Sequence, residues 1–176
     1  MSWDKKKGTA GVAIDSKGNA HYLIYQEYKM SCGPASVAMT ESQYKLQCMV
    51  DGEGRARQLS QKYAGKWTAE GGTAAKNLTH VLNAEGVKTY ACTQVSQSRL
   101  WDYFSYYVKD RTPMICHIAW TKGGHFAVCR RVYPDGTIVF LDPWYGLVEV
   151  QYANLPHYNP SGAGGQISGW LNITYR

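Results

Sequence analysis

The sequence predicts an α+β domain, with a helical N-terminal half followed by an antiparallel sheet. Two observations carry this. Between Pro34 and Val108 the apolar residues recur at helical spacing in several segments. Beyond Pro113 the chain reads as strands throughout, separated by turn signals. With no internal repeat and no linker in 176 residues, one domain over 1–176 is expected, long enough to bury a proper core.

Taken in order, residues 10–26 read as a hairpin, with Val12-Ala13-Ile14 and Tyr22-Leu23-Ile24-Tyr25 flanking a turn at Ser16-Lys17-Gly18-Asn19. Pro34 to about Cys48 reads as a helix with one apolar side, and Pro34 belongs in its first turn because its missing N–H costs nothing there. Asp51-Gly52-Glu53-Gly54 reads as a loop, and two helices are expected near 55–64 and 73–85, with Thr73 as cap and Gly86 just past the second. Val87–Thr93 reads as a strand, followed by a helix capped by Ser96 or Ser98. Strands are expected at Met114–Trp120, Phe126–Val132, Thr137–Leu141, Leu147–Gln151 and Gly169–Tyr175, with a tight turn at Pro134-Asp135-Gly136. The Gly-, Ser- and Pro-rich stretch Asn159–Gly169 reads as a flexible loop.

Composition narrows the function classes. The formal charge of +6 is spread in pairs and triplets such as Lys5-Lys6-Lys7 and Arg130-Arg131. No nucleic-acid motif accompanies them, so a solvated surface or an acidic protein partner is expected rather than a nucleic acid. No apolar run approaches the ~18 residues that cross a bilayer, and the Lys-rich start lacks the apolar stretch of a signal peptide. Membrane insertion is therefore not expected. Five cysteines, an odd number without tight pairs, do not read as a disulfide framework. Cys48, Cys92, Cys116 and Cys129 are expected to be buried free thiols. No C-x-x-C pair is present, so neither a metal nor another cofactor is expected. Tyr and Trp dominate the aromatics, with 14 and 6 against 3 Phe, which suits half-buried surfaces and clefts.

Four signals fall in one chain order: Gln26, Cys32-Gly33-Pro34, Gly123-Gly124-His125 and Asp142-Pro143-Trp144. Cys32 directly precedes a helix, where unpaired N–H groups and the helix dipole favour the thiolate. Gly33 lets a substrate carbonyl approach the backbone. Gln26, six residues upstream, has enough chain to bring its amide back beside the Cys32 N–H as an oxyanion donor. His125 follows two glycines that leave its ring open to substrate. His117, fixed mid-strand, is the alternative base. Asp142 ends the strand returning from the 134–136 turn and should lie close to His125, fixing its tautomer. Trp144 is placed to shield that bond, and Gly124 with Trp144 to bind substrate. Trp120, Lys122 and Tyr145 are further candidate walls.

Gln26-x5-Cys32-Gly33-Pro34, Gly124-His125-Phe126 and Asp142-Pro143 resemble papain-like cysteine peptidases, and most closely the C39-like, bacteriocin-leader-processing branch. The resemblance implies a papain-like fold with the nucleophile at a helix N-terminus packed on the sheet. It also implies a thioester mechanism with Cys32, His125 and Asp142 as triad and Gln26 in the oxyanion hole. Residues 50–110 carry no matching signature. The chain is also similar to free-standing bacterial effector or toxin proteases. That likeness implies delivery as part of a larger protein, action in the cytoplasm of a target cell on a protein substrate, and a cognate immunity protein. The same triad serves peptidoglycan amidases and protein deamidases or acyltransferases, and a catalytically dead binding module would keep the fold.

Overall fold

Strands β1 (Ala10–Ile14) and β2 (Ala20–Ile24) form the expected hairpin, with Ala10 opposite Ile24. Asp15 makes the turn, its Oδ1 accepting from the N–H groups of Lys17 (2.9 Å) and Asn19 (3.0 Å). The computed structural model describes residues 3–120, 123–160, 162 and 164–176.

Helix α1 (Cys32–Lys45) is buried along all of its length except the last residue, Lys45. The one-sided burial read from its sequence therefore does not hold. Its small residues let neighbours pack on every side, as in a helix at the centre of a domain. Helix α2 (Gly52–Ser60) begins inside the segment expected to be a loop. The physical reason is packing: a Cβ on Gly52 would lie 2.8 Å from the Ala38 Cβ, so this glycine serves a close helix crossing rather than a turn. Helix α3 (Ala75–Ala84) follows, with Ala74 and not Thr73 at its N-cap, because the 65–74 segment is closed by Ala74 N–H donating to Gly65 O at 3.0 Å.

The expected strand at 87–93 shrinks to β3 (Thr93–Gln94). Residues 88–90 instead run beside the chain's end through single bonds, Tyr90 N–H to Ile173 O and Tyr175 N–H to Lys88 O, both 3.0 Å. After α4 (Leu100–Tyr107) come β4 (Met114–Trp120), β5 (Gly123–Val132), β6 (Thr137–Asp142), β7 (Gly146–Gln151), β8 (His157–Tyr158) and β9 (Gly165–Ile173). They form an antiparallel sheet ordered β3-β9-β4-β5-β6-β7, with β8 also paired to β9. β9 starts four residues before the expected boundary. Gly165 packs under Trp120, whose Nε1 leaves no room for a Cβ, and Gly169 takes a φ of +99° against Val95 O. These glycines serve close approach within a strand, so the flexible-loop reading of 159–169 fails from 165 onward.

The sheet carries a core on each face. On one, Val37, Met39, Leu78 and Leu82 of the helices pack against Ile115, Phe126, Val128 and Leu141. On the other, Leu100 and Phe104 of α4 pack against Cys116, Ala127, Phe140 and Tyr158. All five cysteines are free. Cys116 and Cys129 are buried as expected, whereas Cys48 and Cys92 are only half-buried, because α1 ends at Lys45 and no strand encloses Cys92.

Phe104 is fully buried and meets Phe140 edge-on at 6.0 Å. Phe104→Ala is expected to lower stability by about 3–5 kcal/mol in denaturant titration, without loss of thiol reactivity at Cys32 once folded.

Candidate active site

Cys32 is the first residue of α1, and no side chain caps that helix. The first N–H groups of the helix thus have no cap from the Ser31 side chain, and their partial positive charge favours an anion beside Cys32. The preceding turn is held from below. Glu53 on α2 is buried and accepts the Glu27 N–H on both carboxylate oxygens (3.0 and 3.1 Å). Arg57 pairs with Glu27 at 2.8 Å and lies 4.4 Å from the Tyr28 ring centre. Trp67 Nε1–H donates to Met30 O at 3.0 Å. Residues 27–31 are therefore a braced turn, and the brace sets where Cys32 stands.

β4 and β5 pair with His117 opposite Phe126 and Ile118 opposite His125, so the two histidines stand on opposite faces of the sheet. Only His125 reaches Asp142, Nε2 lying 2.9 Å from Oδ1. This leaves Nδ1 toward Cys32, whose thiol is a hydrogen-bond partner of the ring. Burial pushes the imidazole pKa down, but the charge and hydrogen bond of Asp142, then Cys32, outweigh it and raise it to about 10. A protonated imidazole is the form this site favours at neutral pH.

Asp142 is fully buried and fully employed. Besides His125, its Oδ1 accepts from the N–H groups of Trp144 (2.8 Å) and Tyr145 (3.0 Å), and its Oδ2 from the Tyr158 hydroxyl (2.7 Å). Burial pushes the carboxyl pKa up, yet the His125 charge and these bonds win and hold it below the ordinary value. Trp120 stacks on His125, ring centres 4.5 Å apart and planes at 11°. Trp120 thus covers one face of the imidazole, since the geometry of β4 lays it across the neighbouring strand. Trp144 contributes its main-chain N–H to Asp142. Tyr145 meets Trp120 edge-on at 6.0 Å. Lys122 lies outside the described residues.

Gln26 is fully buried, and its amide nitrogen donates to Tyr28 O and Lys29 O, both at 2.8 Å. Its main-chain N–H donates to Pro143 O at 2.9 Å, tying the segment before Cys32 to the Asp142-Pro143 turn. Gly124 is exposed in β5, and a Cβ there would collide with His117 Nε2. Among the described residues no group of His, Cys, Asp and Glu could hold a metal ion. No helix among them is long and apolar enough to cross a membrane.

Residues 20–157, which include Cys32, His125 and Asp142, match a model of the peptidase C39 family. The chain belongs to the peptidase C39 family. Its fold is similar to the peptidase domain of Streptococcus ComA, a bifunctional ABC transporter involved in a quorum-sensing pathway. That match has a TM-score of 0.59 at 20% identity and covers 86% of this chain and 94% of that one. It is also similar to a double-glycine-motif protease from an AMS/PCAT transporter solved in complex with its leader peptide. There the TM-score is 0.56 at 15% identity, with 98% and 96% covered. No curated protein matches the sequence.

Within this cysteine peptidase family member, sequence reasoning missed Tyr158 and Glu53. Tyr158 has no local signal, since it reaches Asp142 only because β8 folds back along β9. Glu53 sat in a Gly-flanked stretch that looked like a loop.

Tyr158→Phe removes a bond to the charged form of Asp142, so the carboxyl pKa rises. The acid limb of the kcat/KM profile is expected to move to higher pH, with a plateau about tenfold lower. Burial pushes the Glu53 carboxyl up to about 7, against the Ser31 hydroxyl, the Glu27 N–H and Arg57, which pull it down. A raised acid pKa in the fold means that stability present below the ordinary carboxylate value is lost as pH rises through about 7. Glu53→Gln is expected to shrink the difference in Tm between acidic and mildly alkaline buffer, as read by thermal melts.

Proposed function

We propose that this chain hydrolyses a peptide bond in a protein or peptide substrate. The observation that carries the reading is the buried His125–Asp142 pair turned toward Cys32 at the start of α1. Cys32 Sγ attacks the scissile carbonyl carbon, and the oxygen gains negative charge. The Cys32 N–H and the Gln26 amide are the oxyanion donors in this scheme. Gln26 exchanges one of its bonds to the Tyr28 and Lys29 carbonyls for the oxyanion as substrate enters. The intermediate collapses, the C–N bond breaks, and the amine leaves with the proton held on His125. Water then attacks the thioester, giving its proton to the imidazole, and the acid product departs as the thiolate returns. Asp142 keeps the ring oriented and stabilises the imidazolium throughout. Gly124 and Trp144 line the substrate's path.

A peptide substrate is supported by the leader peptide bound to the double-glycine-motif protease of the same fold. We extend the proposal to an effector or toxin role, acting on a protein in the cytoplasm of a target cell and restrained by a cognate inhibitor. Its support is the resemblance of the Cys32, His125 and Asp142 motifs to those of such proteases.

Cys32→Ala is expected to abolish cleavage while melting like wild type. The measurement is the appearance of new protein N-termini in bacteria expressing each form in the cytoplasm. Equal cleavage by the variant overturns the assignment. A mass gain of about 1 Da on glutamine, without new termini, replaces hydrolysis by deamidation.

A further inference from the structure

A depression of about 360 Å3 opens where the N-terminus of α3 faces β4, β5 and β9. Its walls are Phe126, Trp170 and Ala75, and its polar groups are His117, Lys76 and Thr73. It borders the nucleophile. A Cβ on Gly33, the residue after Cys32, would lie 3.2 Å from the Thr73 Cβ, and Phe126 follows His125 in β5. None of the triad roles uses this space.

The hydrogen bonding of its polar groups says what they can still bind. Ser168 gives its hydroxyl proton to His117 O at 3.2 Å, so its Oγ accepts from His117 Nδ1–H at 2.8 Å. The other ring nitrogen, Nε2, is then a bare acceptor. It lies over Gly124, where any Cβ would strike it, so the glycine makes room for the ring on the wall of the depression. Burial, then the charge on His125, pushes the His117 pKa below its ordinary value, which keeps the ring neutral. Lys76 is exposed on the rim, its Nζ 5.9 Å from the Trp170 ring centre, and it makes no ion pair among the described residues. Thr73 Oγ1 is buried and has no hydrogen-bond partner among the described residues.

Resting on the peptidase reading above, we propose that this depression is a side-chain subsite selecting a tyrosine beside the scissile bond. A phenol ring fits between the faces of Phe126 and Trp170 and gains from both. Its hydroxyl donates to His117 Nε2 while its oxygen accepts from Lys76 Nζ. Phenylalanine fills the same walls but leaves the imidazole acceptor unmet. Glutamate sets lone pairs against that acceptor, and glycine leaves the walls wet.

The test uses peptide aldehydes, which trap Cys32 without any need for amide hydrolysis. They carry Tyr, Phe, Glu or Gly in turn at each of the three positions preceding the aldehyde, and are run beside matching cleavable peptides. At one position the Tyr aldehyde is expected to bind about tenfold tighter than the Phe aldehyde, one hydrogen bond's worth. His117→Phe is expected to bring that ratio to about 1. Lys76→Met, at an exposed site without fold cost, is expected to weaken Tyr binding about threefold and leave Phe binding unchanged. Preference for Gly or Glu at every position, or a Tyr preference untouched by both variants, overturns the subsite. Tyr-selective trapping of Cys32 without cleavage of any peptide keeps the subsite and overturns the hydrolytic reading. Cleavage with no side-chain preference does the reverse.

Discussion

The structure turns on the buried carboxylate of Asp142. A charge removed from water is stable only where hydrogen bonds and an opposite charge replace what solvent supplied. Here the replacements come from four places: His125 on β5, the main chain after β6 at Trp144 and Tyr145, and Tyr158 on β8. Satisfying one carboxylate therefore fixes β8 against the sheet, sets the 142–145 turn, and holds the His125 ring in one orientation.

The helical half is joined to that turn by a separate bond. The Gln26 N–H donates to Pro143 O, so the end of the first hairpin, and with it the turn leading to Cys32, is registered against the carboxylate's own segment. From the other side Glu53, Arg57 and Trp67 brace residues 27–31. Cys32 is thus located by a short turn with both ends anchored, rather than by the packing of α1 alone. The cost of the brace is a second buried carboxylate, Glu53, whose pKa burial lifts to about 7.

The histidine pair on β4 and β5 shows how strand parity divides labour. His125 and His117 are cross-strand neighbours on adjacent rungs, and the alternation of side chains puts them on opposite faces. One meets a carboxylate and a thiol and is held charged. The other meets the Ser168 hydroxyl and the Phe126 ring and stays neutral, its Nε2 lying over Gly124. The same residue type is held charged or neutral according to what lies across the sheet.

The sequence by itself determined the α+β layout, the β4–β7 meander and the approach of His125 to Asp142. Alternation, turn residues and the Cys-Gly-Pro, Gly-His and Asp-Pro signals are local, and local patterns survive reading one residue at a time. It misjudged every glycine-rich stretch that packs. Gly52, Gly165 and Gly169 resemble loop punctuation, yet each marks a place where another backbone or ring comes within van der Waals reach. Only the tertiary structure decided that Tyr158 holds Asp142, that Trp120 covers His125, that Glu53 braces the turn before Cys32, and that both Gln26 amide protons rest on carbonyls. Each of those contacts except Gln26's joins separate elements of the fold, and no pattern along the chain records which side chain a strand or helix will meet.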